Sequence, residues 1–284
     1  MFRIGQREGL NILINSQPLN SEPHFRLPLT WKPTHAEGLI RVGPAEDGGY
    51  VIREKALKSS DYVVGGGLSD DWRFEEDFEK RSGARVVVYD PTVNSKFWIK
   101  RLYGAIKGLR RGKSPFKVIE LYMAYNSFFS RKTRQHVRKF IGYEGPNSVS
   151  VGQMLAVSKV ERDCFLKIDI EGSEYRILDD IVAHRERLAG MVIEFHDVSA
   201  HRLMIDKFIG ELAPDMQIAH LHANNYGGHS PDGMPIALEL TFGWASEVTK
   251  PESPLPAYPL PDLDFPCNPA GVDPSIEFSA ELRV

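Results

Sequence analysis

From residue 60 onward the chain alternates short, β-branched apolar runs with stretches of helical periodicity, and no other feature constrains its fold as strongly. YVVGGG (62–67) precedes LSDDWRFEEDFEKRSGA, where Phe74 and Phe78 share a helical face, acids crowd the early turns and Gly83 suits a C-terminal cap. RVVVYDPT (85–92) is a β-branched run that ends in Asp90 and is broken by Pro91. CFLKIDI (164–170) is another, and Ile177, Leu178, Ile181 and Val182 then lie on one helical face before Gly190. MVIEFHDV (191–198) follows, backed by a helix marked by Met204, Phe208 and Leu212 and stopped by Pro214. Strands and helices in this order wind a parallel sheet. The last runs, QIAHLHANN (217–225) and PIALELTFGW (235–244), are joined by the turn-rich YGGHSPDGM, which has no room for a crossover helix, so they must pair antiparallel. The expected fold is α/β and Rossmann-like, mostly parallel, with a terminal antiparallel hairpin.

Three regions stand outside the repeat. Residues 1–59 form an N-terminal lead with a PAEDGGYVI turn (44–52), residues 93–150 hold a basic segment where a short crossover would suffice, and Pro251 to Pro274 carries eight prolines and reads as extended chain. One domain is expected over 1–284, with its core at about 40–245, a basic helical insertion at about 93–145 and a Pro-rich extension at about 246–284. No apolar run approaches the roughly 20 residues that cross a bilayer, which points away from an integral membrane protein. The opening MFRIGQREGLNILINSQ lacks the pattern of a secretory signal, and Cys164 and Cys267 are the only cysteines, so a reducing, cytoplasmic setting is expected. Cys164, inside an apolar run, reads as buried and inert.

Charge is unevenly spread. Between Lys96 and Lys139 stand thirteen Lys or Arg against one acid, Glu120, a segment of +12 in a chain of net −3. Within it SKFWIKRLYGAIKGLRRGK (95–113) sets Phe97, Trp98, Leu102, Ile106 and Leu109 among cations, the pattern of an interfacial helix. Residues 95–139 can rest on an anionic membrane surface, bind a phosphorylated glycan, or pack an apolar face on the core with the cations in water. Nucleic acid is not expected, because net charge is negative and no reading module is present.

The chemistry begins at Gly65, Gly66 and Gly67, which follow a strand and precede a helix, where a glycine turn lets a ligand approach the backbone. Asp90, at the tip of the next strand, is placed to accept hydrogen bonds from ribose hydroxyls, so a nucleotide-like ligand is expected. NAD and S-adenosylmethionine share that geometry. Asp169 and Glu171, one residue apart at a strand end before Gly172, repel each other unless a cation or hydroxyl donors lie between them, which favours a sulfonium ligand with an ammonium over a pyrophosphate.

KIDIEGSE (167–174), with VVGGGLSDDWRFEEDF, VYDPT and DGGYVI (47–52), resembles the FkbM-type methyltransferases, S-adenosylmethionine-dependent enzymes of which many O-methylate sugars or other hydroxylated metabolites. LHANNYGG (221–228) and ALELTF (237–242) resemble the closing strands of that group, and the likeness spans roughly residues 40–245. It departs from the common pattern at Ser69, where many class I methyltransferases place a third spaced glycine, and in the long basic insertion. The resemblance implies the class I methyltransferase sheet, with Gly65, Gly67 and Asp90 holding the cofactor, Asp47 and Asp169 at its polar end, and Glu171 facing the acceptor.

Methyl transfer to a sugar hydroxyl needs alignment, exclusion of water and a proton acceptor. His196, at a strand end between Glu194 and Asp197, is the expected base; His222 and Asn225 are expected to orient the acceptor or merely to close the turn, and His220 to be structural. A divalent metal, if one is used, would take Asp169, Glu171 and His196. The expectation is therefore a sugar O-methyltransferase acting on a lipid-linked or cell-surface glycan at the inner face of the membrane. Its rivals are an NAD-dependent sugar oxidoreductase, which would need a tyrosine or lysine acid/base around a nicotinamide and for which no Tyr-x-x-x-Lys motif is expected, and a membrane-bound adaptor on the same fold.

Overall fold

A computed structural model describes residues 24–33, 37–247 and 257–280. In chain order the strands and helices are β1 (His24–Pro28), β2 (Leu39–Val42), β3 (Tyr50–Arg53), α1 (Glu54–Ser59), β4 (Tyr62–Gly66), α2 (Arg73–Ser82) and β5 (Arg85–Tyr89). Then come α3 (Ser95–Lys107), α4 (Pro115–Phe128), β6 (Arg134–Val137), β7 (Phe140–Ile141), β8 (Ser148–Val149), α5 (Val151–Leu155) and β9 (Cys164–Ile168). The chain continues with α6 (Leu178–Ala183), β10 (Leu188–His196), α7 (Arg202–Leu212), β11 (Met216–His229), β12 (Pro235–Trp244) and β13 (Ser275–Ser279).

Seven strands form one sheet in the order β11-β12-β10-β9-β4-β5-β6. From β10 to β6 every pairing is parallel; β12 runs antiparallel to both β10 and β11. A parallel series that reverses direction across its first strand and takes one inverted strand beside the last is the class I methyltransferase, Rossmann-like sheet.

The β-branched runs become strands because both sheet faces are covered, so residues of either parity find apolar company. Val63, Val86, Val88, Phe165 and Val192 pack on one face with Phe74 and Phe78 of α2. Val64, Val87, Leu166, Ile168, Met191 and Ile193 pack on the other with Ile181, Phe208 and Leu212 of α6 and α7. Gly83 ends α2 at φ +78°, its N–H reaching the Glu79 carbonyl at 2.7 Å.

Three local expectations are corrected. Met204 is 42 % exposed and the buried face of α7 starts at Ile205, one position on. The helix expected after CFLKIDI is a single turn of 3-10 helix (Glu174–Arg176) followed by the six residues of α6. The basic segment does more than insert: α3 and α4 return the chain into β6, which pairs parallel with β5 as the sheet's edge. Its sequence, RQHV, is polar because an edge strand is buried on fewer sides, and so it escapes an apolar-run reading.

The described part of the C-terminal extension lies against the sheet, with Tyr258, Leu260 and Cys267 buried and β13 paired in parallel with β1. Residues 248–256, with three of the eight prolines, lie outside the described residues.

Phe165 is fully buried, with the rings of Phe78 and Phe74 centred 5.1 and 6.0 Å away. Phe165→Ala is expected to lower the unfolding free energy by about 3–5 kcal/mol, whereas exposed Met204→Ala should stay within about 0.5 kcal/mol, both read from urea denaturation.

Candidate active site

A cleft of about 1050 Å³ opens over the carboxyl ends of β4, β5 and β9, where the chain's route reverses from β5 on one side of β4 to β9 on the other. Open α/β sheets bind their ligands at such points. Asp47, Gly67, Asp90, Asp169 and Glu171 all line it; Gly65, Gly66, His196, His222 and Asn225 do not.

The glycines divide by role. Gly67 has φ +87°, and a Cβ there would overlap the Asp169 carbonyl oxygen, so the tips of β4 and β9 touch only because this residue has no side chain. Gly65 and Gly66 are buried in β4, where a Cβ would crowd Glu75 and Val88, or Ile141 and Ile168. Of the three glycines read as cofactor contacts, two serve packing.

Asp90 is 6 % exposed and its oxygens are engaged: one accepts from the Leu68 and Ser69 N–H groups (2.9 and 3.1 Å), the other from the Thr92 N–H and hydroxyl (2.7 and 2.6 Å). Burial alone would raise its pKa, but these four donors outweigh it and hold the carboxyl below its usual range. Expected as a free acceptor for ribose, Asp90 is first the clamp that shapes the 67–69 turn.

Beyond β9, Glu171 (φ +54°) and Gly172 (φ +89°) both take the left-handed conformation, a strained arrangement for a glutamate. Glu174, fully buried, holds the turn by accepting from the N–H of Gly172 (2.8 Å) and of His196 (2.7 Å). Asp47 enters from the β2–β3 turn, its N–H donating to the Cys267 carbonyl at 3.2 Å.

Beneath the floor lies a group of buried charges that sequence reasoning did not assign. Lys167 Nζ stands 3.7 Å from Glu75, and neither Glu75 oxygen accepts a hydrogen bond among the described residues. Burial works against the lysine's charge, but Glu75, Asp169, Glu194 and Asp71 outweigh it and raise its pKa. Glu194 accepts from the Tyr50 hydroxyl (3.3 Å) and Asn224 (3.0 Å); burial, with Asp169 and Glu239, pushes its pKa well up. Burial, with Glu239, Asp169 and Asp71, raises Asp47 as well. The available signal was a lone polar residue inside an apolar strand, as in FLKID, VIEF and ALELTF, which only a site or a buried pair explains.

His196 sits beside the cleft, its Nδ1 3.3 Å from Glu174 and its Nε2 3.6 Å from Glu171. Burial would lower its pKa, but the Glu174 hydrogen bond and the charges of Glu194, Glu174 and Asp169 raise it to about 9. A pKa held there favours the imidazolium at neutral pH, a form that has no free lone pair with which to accept a hydroxyl proton. The metal set named with it, Asp169, Glu171 and His196, does converge, with ligand atoms within 4.8 Å of one another, but Glu171's side chain is 86 % exposed and the group is already internally ion-paired.

His222 and Asn225 face away from the cleft. His222 Nε2 lies 2.9 Å from Asp273 and its Nδ1 3.4 Å from Glu239, while Asn225 donates to the Asn268 carbonyl (3.1 Å) and accepts from its N–H (2.6 Å). Both hold the C-terminal segment rather than orient an acceptor. His220, 1 % exposed, does the same through Asp264 at 3.0 Å, as its structural reading expected. The chain does carry one Tyr-x-x-x-Lys spacing, Tyr103 and Lys107, contrary to the sequence reading. It lies on α3 outside the cleft, with the Lys107 ammonium 4.4 Å over the exposed Tyr103 ring.

No protein-family model and no curated protein matches the chain. Among solved structures it is similar to the fibrillarin/Nop5p complex, at 12% identity over 66% of this chain and 73% of that one, with a TM-score of 0.36. It is similar to an rRNA methylase from Streptococcus thermophilus (10% identity, 66% and 89%, TM-score 0.36). A third is M. capricolum TrmK in complex with S-adenosyl-homocysteine (11% identity, 71% and 69%, TM-score 0.35). Likeness this distant carries no argument about chemistry, which rests on the geometry above.

The stability that His196 contributes is whole below its ordinary pKa of 6.5 and drains as pH rises through about 9, because the raised value belongs to the folded state. Urea midpoints measured across that window should fall less steeply for His196→Gln than for the wild type. Parallel curves would mean that the ring is not charged in the fold.

Proposed function

We propose that the chain is an S-adenosylmethionine-dependent methyltransferase that methylates a hydroxyl of a sugar or glycan. The observation that carries the cofactor is the sign of the charge at the glycine turn. Dinucleotide folds offer bare N–H groups there to a pyrophosphate; here the turn and the first turn of α2 present Asp70, Asp71, Glu75 and Glu76 to the cleft, with Asp47 and Asp169 opposite. Asp70 is paired with Arg101, Asp71 with Arg73 and Glu75 with Lys167, but Glu76, Asp47 and Asp169 have no such cation among the described residues, and this excess repels a pyrophosphate while favouring a ligand that bears a sulfonium and an ammonium.

Asp47 and Asp169 would hold the ammonium, and the Gly67 turn, tied down by Asp90, would border the nucleoside. The bound cofactor supplies an electrophilic methyl group. The chain's own part is to orient and desolvate the acceptor, with Glu171, exposed in the cleft and steadied by charged His196, as the group that takes the hydroxyl proton. The sugar acceptor rests on the resemblance of KIDIEGSE and its companion motifs to the FkbM-type enzymes.

The location of the acceptor rests on α3 and α4. Seven of the sixteen exposed large apolar side chains among the described residues lie on these two helices, including Ile99 at 66 %, Phe116 at 74 % and Met123 at 66 %, and Leu109 stands on the turn between them. Trp98, Tyr125 and Phe128 already supply the core-facing side, so the outer residues form a second apolar face, among lysines and arginines. That mixture suits the interface of an anionic bilayer better than a nucleic acid. Leu121, Ala124 and Phe128 of α4 line the cleft, which supports a reading in which helices resting on lipid would stand beside the acceptor, a lipid-linked glycan on the cytoplasmic side. Among the described residues no helix is long and apolar enough to cross a membrane.

Calorimetric titration with S-adenosylhomocysteine should show micromolar binding that weakens at least about tenfold in Asp169→Asn, with no binding of NAD. Binding of NAD in its place would overturn the cofactor, and binding of neither would favour a non-catalytic adaptor. The wild type should sediment with vesicles containing phosphatidylglycerol and not with neutral phosphatidylcholine. A variant carrying Ile99→Ser, Phe116→Ser and Met123→Ser should stay in the supernatant, and equal sedimentation of the two proteins would remove the membrane.

A further inference from the structure

Away from the cleft floor, three ligand-type side chains from three segments meet in the interior. His222 of β11 stands directly opposite Glu239 of β12 in the hairpin register, and Cys267 descends on them from the C-terminal segment. All three are nearly inaccessible, at 2, 3 and 2 % exposure. Their spacings are 3.9 Å from Cys267 Sγ to His222 Nδ1, 3.6 Å from Sγ to Glu239 Oε1, and 3.4 Å from Nδ1 to Glu239 Oε2.

These are long for hydrogen bonds, and a thiol is a weak donor. They are close to the separations that one ion would impose. Zinc bound to sulfur at about 2.3 Å and to nitrogen or oxygen at about 2.0–2.1 Å, in a tetrahedron, holds its ligands about 3.3–3.6 Å apart. The outer shell is present too: the far nitrogen of His222, Nε2, lies 2.9 and 3.1 Å from the two Asp273 oxygens, the carboxylate–histidine arrangement that aims a ligating imidazole and raises its basicity.

We propose that His222 Nδ1, Glu239 and Cys267 Sγ bind one zinc ion, with Asp273 orienting His222. A thiolate, an imidazole and a carboxylate together select zinc over magnesium or calcium, which take oxygen. On entry the ion displaces the thiol proton and any proton on Nδ1, as coordination by cysteine and histidine requires. Three protein ligands leave a fourth position for water. Because the ligands come from two strands and the C-terminal segment, the ion pins that segment to the hairpin, beside the Asn225–Asn268 and His220–Asp264 links. Asp47, which lines the cleft, is tied to the same place through the Cys267 carbonyl, so the ion also braces one wall of the candidate active site.

The test uses the full chain, purified without chelator and analysed for metal by mass spectrometry, then stripped and titrated with Co²⁺. About one zinc per chain is expected, together with a thiolate-to-cobalt charge-transfer band in the near ultraviolet. The band should persist in Cys164→Ser and in Asp169→Asn, and vanish in Cys267→Ser. Asp273→Asn should weaken metal uptake by about 10–100-fold while leaving the band's position unchanged. Should Cys267→Ser fail to fold, the wild type decides alone: its melting temperature should fall on stripping and recover with zinc. Absence of zinc and of a cobalt band in folded wild type overturns the proposal, and so does a band that survives Cys267→Ser.

Discussion

The cleft at the carboxyl end of the sheet depends on a contact between two strand tips. Beyond their last ladder pair, β4 and β9 stay joined because the Asp169 N–H donates to the Gly66 carbonyl at 2.9 Å and the Asp169 carbonyl presses against Gly67, where no Cβ stands in the way. From the other side Asp90 draws the Leu68 and Ser69 N–H groups toward β5. Between these two ties the 67–72 turn has one course, which carries the acids of α2's first turn over Lys167 and into the cleft. A side chain at position 67 would part the tips and take the floor of the site with them.

The second determinant is electrical. Lys167, Glu194, Glu239, His220, His222 and Asn224 all sit inside strands whose neighbours are apolar, and each is 6 % exposed or less. Groups so buried persist only when paired. The pairings divide the carboxyl end of the sheet in two. Under the glycine turn, carboxylates outnumber cations and call for a positive ligand. Under the C-terminal segment, imidazole, thiol and carboxylate converge on one point and call for a soft-to-borderline metal. The cofactor reading and the zinc proposal thus come from one principle applied to two places, yet they share no residue.

The parts of the fold legible in the sequence were those written in periodicity. The runs at 62–67, 85–92, 164–170, 191–198, 217–225 and 235–244 became β4, β5, β9, β10, β11 and β12 because a sheet covered on both faces demands unbroken apolar strands. The missing linker helix made the last two antiparallel. RQHV, a polar edge strand, has no such signature, and neither does the short 3-10 turn that stands where a full helix was expected. Within the site, Asp47, Gly67, Asp90, Asp169 and Glu171 could be picked out because each follows a strand or turn visible in the sequence. His222 and Asn225 lie at equally prominent positions on β11, yet they are claimed by Asp273 and Asn268, some fifty and forty residues away, and local spacing carries no trace of those partners.

The sequence by itself determined the sheet, its direction of winding, its closing hairpin and the set of acids at its carboxyl end, since these follow from patterns two to four residues long. Only the tertiary structure decided what those acids do. It spent Asp90 on the backbone, raised the pKa of His196 by setting it among Glu174, Glu194 and Asp169, buried Lys167 against Glu75, and brought Cys267 to His222 across 45 residues. A side chain's protonation and its free lone pairs are set by whatever lies within a few ångströms, and that neighbourhood is made by folding.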